Sequence, residues 1–271
     1  MADAAPCGCK GIRSCLICET ERSLNAPPKE EPFQQTVCTY CIQCCTAYEE
    51  TTSKHPDHHG NSFSFKGISV IPDFVSPEEE EHLVSHIYKS PFVVSQSGRQ
   101  KQDYGPKVNF KKKKLRADKF TGLPIYSKFL YDRMQGLQEL KDFLPVELCN
   151  LEYSSDRGAA IDPHFDDFWL WGERLVTLNL LSDSVLSFTN DSLRNVEVQV
   201  PLPRRSLIVV SKDARNVWKH SIHRHHISGK RLAITLRELT PEFLEGGDRE
   251  VEGKNLLEVA LTFQGSSVAE S

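Results

Sequence analysis

At 271 residues and 39% hydrophobic content the chain can bury a sizeable core, and its size fits one domain of about 200 residues with a flanking arm. A formal net charge of −4 excludes a surface that is basic throughout, so any contact with nucleic acid must come from a local patch. No apolar run is long enough to span a bilayer and the start, MADAAPCGCK, lacks a secretory pattern; a soluble cytoplasmic or nuclear protein is expected, in which the nine cysteines do not form a disulfide framework.

Residues 1–64 read as a Cys-rich arm and linker, because eight of the nine cysteines fall before residue 46 and apolar residues at helical or strand spacing are few. Cys7, Cys9, Cys15 and Cys18 form C-x-C and C-x-x-C pairs, the pattern of a four-cysteine zinc site or iron-sulfur cluster. Cys38, Cys41, Cys44 and Cys45 make a second, less regular set, while Cys149 reads as a small buried hydrophobe. From residue 65 the chain turns globular. SPEEEEHLVSHIYKSP predicts a helix with Ser76 as N-cap, Pro77 at the first helical position and Glu79 closing a capping box. GLPIYSKFLYDRMQGL predicts a second helix.

After Pro145 the pattern becomes ELCNLEY, LVTLNLL, SVLSF, VEVQVPL, SLIVVS and RLAITLRE, short strands separated by turn residues. Helices first and strands later predict an α+β domain whose strands close into a jelly roll or barrel. Residues 65–265 are expected to form this domain, followed by a tail over 266–271.

Within it, IDPHFDDF stands out. Pro163 favours extended backbone, and on an extended segment His164 and Asp166 point to one side, presenting an imidazole and a carboxylate to one point. A third ligand is sought in WKHSIHRHH, where His220, at the start of a strand, is preferred over His223, His225 and His226. Two histidines and one carboxylate suit non-haem Fe(II), with zinc and a bound water as the competing reading. In RLAITLRE, period two puts Arg231, Ala233, Thr235 and Arg237 on one face and Leu232, Ile234 and Leu236 on the other. Guanidinium groups facing inward require an anion, and a small dicarboxylate that also reaches the metal, such as 2-oxoglutarate, would provide one.

The succession His-x-Asp, His-x-Ile and Arg-x-x-x-Thr-x-Arg, with NLEYSSDRGAAIDPHFDDFWLWGERLVTLNLL and QDYGPKVNF, resembles the AlkB family of Fe(II)/2-oxoglutarate dioxygenases from about Phe65 to Gly265. The resemblance implies a double-stranded β-helix (jelly roll) flanked by helices, with His164, Asp166 and His220 as iron ligands. It also implies that Arg231 meets the distal carboxylate of 2-oxoglutarate, that Arg237 lies near its keto-acid end, and that Tyr153 hydrogen-bonds it. Ala233 stands where the family often has Asn, and the family's Asn-x-Tyr is stretched here to Asn150-Leu-Glu-Tyr153. QDYGPKVNFKKKK resembles the family's substrate lid, with Tyr104 and Lys107 as substrate contacts and Lys111 to Lys114 available to phosphates or an acidic protein surface. The implied reaction is oxidative N-demethylation that releases formaldehyde and succinate. Its substrate is a methyl-lysine protein of the actin type or N6-methyladenine in DNA, and the modestly acidic chain tilts the reading towards protein. A jelly-roll scaffold that binds partners through its Cys-rich arm and lysine patch is the alternative, and a zinc hydrolase ranks third.

Overall fold

Ser76, placed before an acidic run, sets the first helix. In the computed structural model, which describes Leu16 and residues 36–49, 55–117 and 119–267, the helix Pro77–Ile87 opens on a complete capping box. Ser76 Oγ accepts from the Glu79 N–H, and the Glu79 carboxylate accepts the Ser76 N–H at 2.8 Å. The same carboxylate takes the Arg133 guanidinium at 2.5 and 2.9 Å, tying this helix to the second helical segment. That segment is a 3-10 turn, Ile125–Ser127, running into an α-helix, Lys128–Met134, rather than one continuous helix.

Of the sixteen strands among the described residues, fourteen build two seven-stranded sheets and two form a separate hairpin. The first runs in the order Ile68–Ile71, Leu207–Val210, Trp171–Leu180, Lys230–Leu239, Pro145–Ser154, Gln100–Tyr104, Val93–Val94. The second runs Ile161–His164, Lys219–Ile222, Ser184–Asn190, Leu193–Leu202, Thr36–Cys41, Thr46–Tyr48, Ser62–Ser64. Pairing is antiparallel throughout, except that Thr36–Cys41 lies parallel to Leu193–Leu202. The middle strands of the first sheet bury one face completely, with Val176, Leu178, Leu232, Ile234 and Leu236 fully enclosed.

Residues 36–64, expected within an arm, therefore contribute three strands to the second sheet. Thr, Val and Tyr are strong strand formers and Cys packs as a small hydrophobe, so TVCTYC buries Cys38 and Tyr40 despite its polar appearance. The helix Glu250–Ala260 was also not expected; it seats Leu256 and Ala260 in the core and packs against Pro145–Ser154. Cys7, Cys9, Cys15 and Cys18 lie outside the described residues. Among the described residues, no helix is long and apolar enough to cross a membrane.

One ion pair fastens the second sheet to the turn after Lys219–Ile222. His223 Nε2 lies 3.2 Å from Glu197 Oε1, with the carboxylate 7% exposed. Burial alone raises Glu197, but hydrogen bonds from His223 and Gln199 outweigh it and hold the carboxyl at about 2; the bond to Glu197 raises His223 above its ordinary 6.5. A raised histidine contributes stability that is complete below its unfolded value and is lost as pH rises through the folded one. Glu197→Gln is accordingly expected to flatten the decline of Tm as pH climbs above 6.5. Identical Tm profiles for the two proteins would show the pair to be uncoupled from folding.

Candidate active site

Ile161–His164 forms the edge of the second sheet beside Lys219–Ile222, and a register shift between the Ile161–Ile222 and His164–His220 pairs turns His164 towards its cross-strand partner. The two imidazole rings lie 4.3 Å apart at 50°. The strand ends at His164, and Asp166 lies two residues beyond it, where Arg215 Nη1 donates to its carbonyl at 2.9 Å. His164 Nε2 and Asp166 Oδ1 are 4.0 Å apart, and one donor atom from each of His164, Asp166 and His220 falls within 4.8 Å of the others. His164 Nδ1 lies 2.8 Å from the Asp162 carbonyl oxygen. A carbonyl only accepts, so Nδ1 carries the proton and Nε2 the lone pair a metal needs. His223 pairs with Glu197, and His225 and His226 stand in the 3-10 turn Arg224–His226, outside the cluster.

Asp166 is held by a second residue of the site. Arg237 Nε and Nη2 donate to its two carboxylate oxygens at 3.1 and 3.2 Å, while Nη1 donates to Glu147 at 2.6 Å. Burial would raise the Asp166 carboxyl, but Arg237, His220 and His164 hold it well below the usual carboxylate range. Arg237 thus commits three of its five N–H donors to Asp166 and Glu147, which makes it an anchor for Asp166, and it lines the same cavity with its remaining donors.

The cavity between the sheets is lined by His164, Asp166, His220 and Arg237 together with Tyr153, Arg231, Ala233 and Thr235, so the predicted alternation along Lys230–Leu239 is the observed one. Arg231 is 2% exposed; its Nε donates to Asn179 Oδ1 at 2.7 Å and its guanidinium lies 4.9 Å from the centre of the Tyr153 ring. No carboxylate among the described residues pairs with it. Asn179 Nδ2 donates to the carbonyls of Ser182, Leu202 and Pro203, which fixes its oxygen towards Arg231. Sequence reading passed over Asn179, Arg215 and Glu147. The one available signal was a fully buried polar residue in an otherwise apolar strand, LNLL.

Other expected contacts lie elsewhere. Tyr104 is 3% exposed, packs edge-on against Tyr126 and is absent from the cavity lining, because alternation along Gln100–Tyr104 turns it inward. Lys107 is exposed at the start of a two-stranded hairpin, Lys107–Asn109 with Lys114–Arg116, and Lys111 to Lys114 are exposed at its far end. Asn150 faces away from the cavity, donating to Gln102 and to the Tyr126 hydroxyl.

No protein-family model matches the chain. Over 97% of its length it is 45% identical to the human alpha-ketoglutarate-dependent dioxygenase alkB homolog 4, covering 95% of that protein, and it is 46% identical to the mouse counterpart at 97% and 96% coverage. A DNA N6-methyl adenine demethylase of Caenorhabditis elegans is 38% identical over 89% of each chain. Likeness of this extent, joined to a two-histidine, one-carboxylate cluster inside a two-sheet fold, defines a 2-oxoglutarate-dependent dioxygenase. The chain belongs to the AlkB family, alongside alkB homolog 4.

Enzymes of this family use Fe(II) and 2-oxoglutarate, and the site fits both. Mixed imidazole and carboxylate donors suit a ferrous ion. A buried arginine facing the same cavity without a carboxylate suits an anion bound beside the metal.

Proposed function

We propose that His164, Asp166 and His220 hold Fe(II), that Arg231, oriented by Asn179 and flanked by Tyr153, holds the distal carboxylate of 2-oxoglutarate, and that the protein oxidatively removes methyl groups from nitrogen. The observation that carries this reading is the buried Arg231, whose charge is met by an amide and an aromatic face and not by a carboxylate. The two sheets are read as a double-stranded β-helix spanning about residues 65–265, extended by strands from within the Cys-rich arm.

Iron with 2-oxoglutarate and dioxygen supplies the oxidant that hydroxylates an N-methyl group, whose hydroxymethyl product releases formaldehyde. The chain's own work is placement. The Asp162 carbonyl sets the tautomer of His164, Arg237 keeps Asp166 ionised and aligned, and apolar residues of both sheets wall the cavity against water.

The substrate is read as methylated DNA. Support comes from the worm relative's name and from the exposed hairpin that carries Lys107, Lys111 to Lys114 and Arg116, a basic group suited to a phosphate backbone. The test supplies iron-loaded protein with 2-oxoglutarate and either an N6-methyladenine oligonucleotide or an actin-type methyl-lysine peptide, and measures succinate and formaldehyde. Formaldehyde from the oligonucleotide is the expected result. Formaldehyde from the peptide alone would move the substrate to protein, and neither product under any condition would favour a binding scaffold.

A further inference from the structure

A second cluster of metal-binding side chains lies at the opposite side of the second sheet. Cys41 ends the strand Thr36–Cys41, and Cys44 lies in the turn before Thr46–Tyr48, closed by the Cys45 N–H donating to the Cys41 carbonyl at 2.9 Å. His55 and His58 come from the loop that leads into Ser62–Ser64. His55 Nδ1 is 3.2 Å from Cys44 Sγ and 3.9 Å from Cys41 Sγ, and the His58 ring stacks on Tyr48 at 4.0 Å. One donor atom from each of the four residues falls within 4.8 Å of the other three.

We propose that Cys41, Cys44, His55 and His58 bind a structural Zn²⁺ ion. Tetrahedral zinc, with Zn–S of about 2.3 Å and Zn–N of about 2.0–2.1 Å, sets its donors roughly 3.3–3.8 Å apart, so the observed group needs only a small contraction. Two thiolates and two imidazoles form a soft to borderline donor set that selects zinc over magnesium, calcium or a ferrous ion held by oxygen. Four protein ligands fill the tetrahedron and leave no position for water, which makes the site structural and not hydrolytic. The two-residue spacer between the cysteines is the usual knuckle spacing. The equally short spacer between the histidines is accommodated because they lie on a non-helical loop, where neighbouring side chains need not be a helical turn apart to converge.

The ion would clamp the three outer strands of a sheet whose other edge carries His164 and His220. It would join the first turn to the loop before Ser62–Ser64, holding Thr36–Cys41 in place beside Leu193–Leu202. The site is independent of the iron cluster and shares no residue with it.

The test uses the full chain, produced with zinc present, freed of loosely bound metal and measured by elemental analysis. The Cys41→Ser, Cys44→Ser double variant is expected to carry one zinc per chain fewer than wild type, whereas His164→Ala is expected to carry the same amount. Equal zinc in the double variant and wild type would overturn the proposal. Because loss of the ion would also weaken the fold of the double variant, His58→Cys supplies a second reading after cobalt substitution. A third thiolate ligand should strengthen the sulfur-to-cobalt absorption, and a spectrum equal to that of wild type would exclude His58 from the site.

Discussion

Asp166→Ala is expected to bring 2-oxoglutarate turnover to background and to strip iron from the protein, with the fold retained. Among the described residues, Asp166 is the carboxylate that groups with both imidazoles of the cluster. Removing one partner of a buried ion pair commonly costs about 3–5 kcal/mol, because the survivor is left charged and unpaired. Here the survivor is Arg237, and Glu147 still holds it at 2.6 Å. The stability loss in urea unfolding should therefore fall below that range while succinate formation disappears. Turnover equal to wild type would sink the assignment of the metal site, and collapse of the fold would show that Glu147 does not compensate.

Arg231→Ala is expected to raise the KM for 2-oxoglutarate by about a hundredfold or more while leaving iron affinity unchanged, since truncating one side of a buried charged hydrogen bond costs roughly 2–5 kcal/mol. Arg231→Lys should recover little of this. A lysine ammonium cannot reproduce the Nε contact to Asn179, nor lie flat against Tyr153, while also reaching an anion. Titration of iron and of 2-oxoglutarate separates the two effects. Parallel loss of both would assign Arg231 to the fold and not to the cosubstrate.

What could be read in the sequence were features set within a few residues of one another. The capping box of Ser76 and Glu79 is a four-residue pattern, and the split of Arg231, Ala233, Thr235 and Arg237 from Leu232, Ile234 and Leu236 is strand alternation; both appear in the structure as expected. Features that depend on which strand lies beside which were hidden. Asn179 becomes the support of Arg231 only because Trp171–Leu180 and Lys230–Leu239 are neighbours. Arg215 reaches the backbone of Asp166 from 49 positions away. His55 and His58 looked like linker residues until the chain brought them back to Cys41 and Cys44. Tyr104, named as a substrate contact only through the resemblance of QDYGPKVNF to the family's lid, is turned inward onto Tyr126 by strand alternation, which a motif match does not show.

Thr36 stands opposite Val196 in the parallel pair that joins the first strand of the second sheet to its interior. The two partners are 160 positions apart (196 − 36), so on a ribosome adding about 5–20 residues per second the early strand waits on the order of ten to thirty seconds for its neighbour. Throughout that interval the edge not taken by Thr46–Tyr48 is open to mispairing, the hazard of any unprotected strand edge. Contacts this distant along the chain also slow folding, because loop closure must precede any gain from pairing. Yield of active enzyme on refolding should therefore depend steeply on protein concentration, with dilution and low temperature favouring the native partner over another copy of the chain.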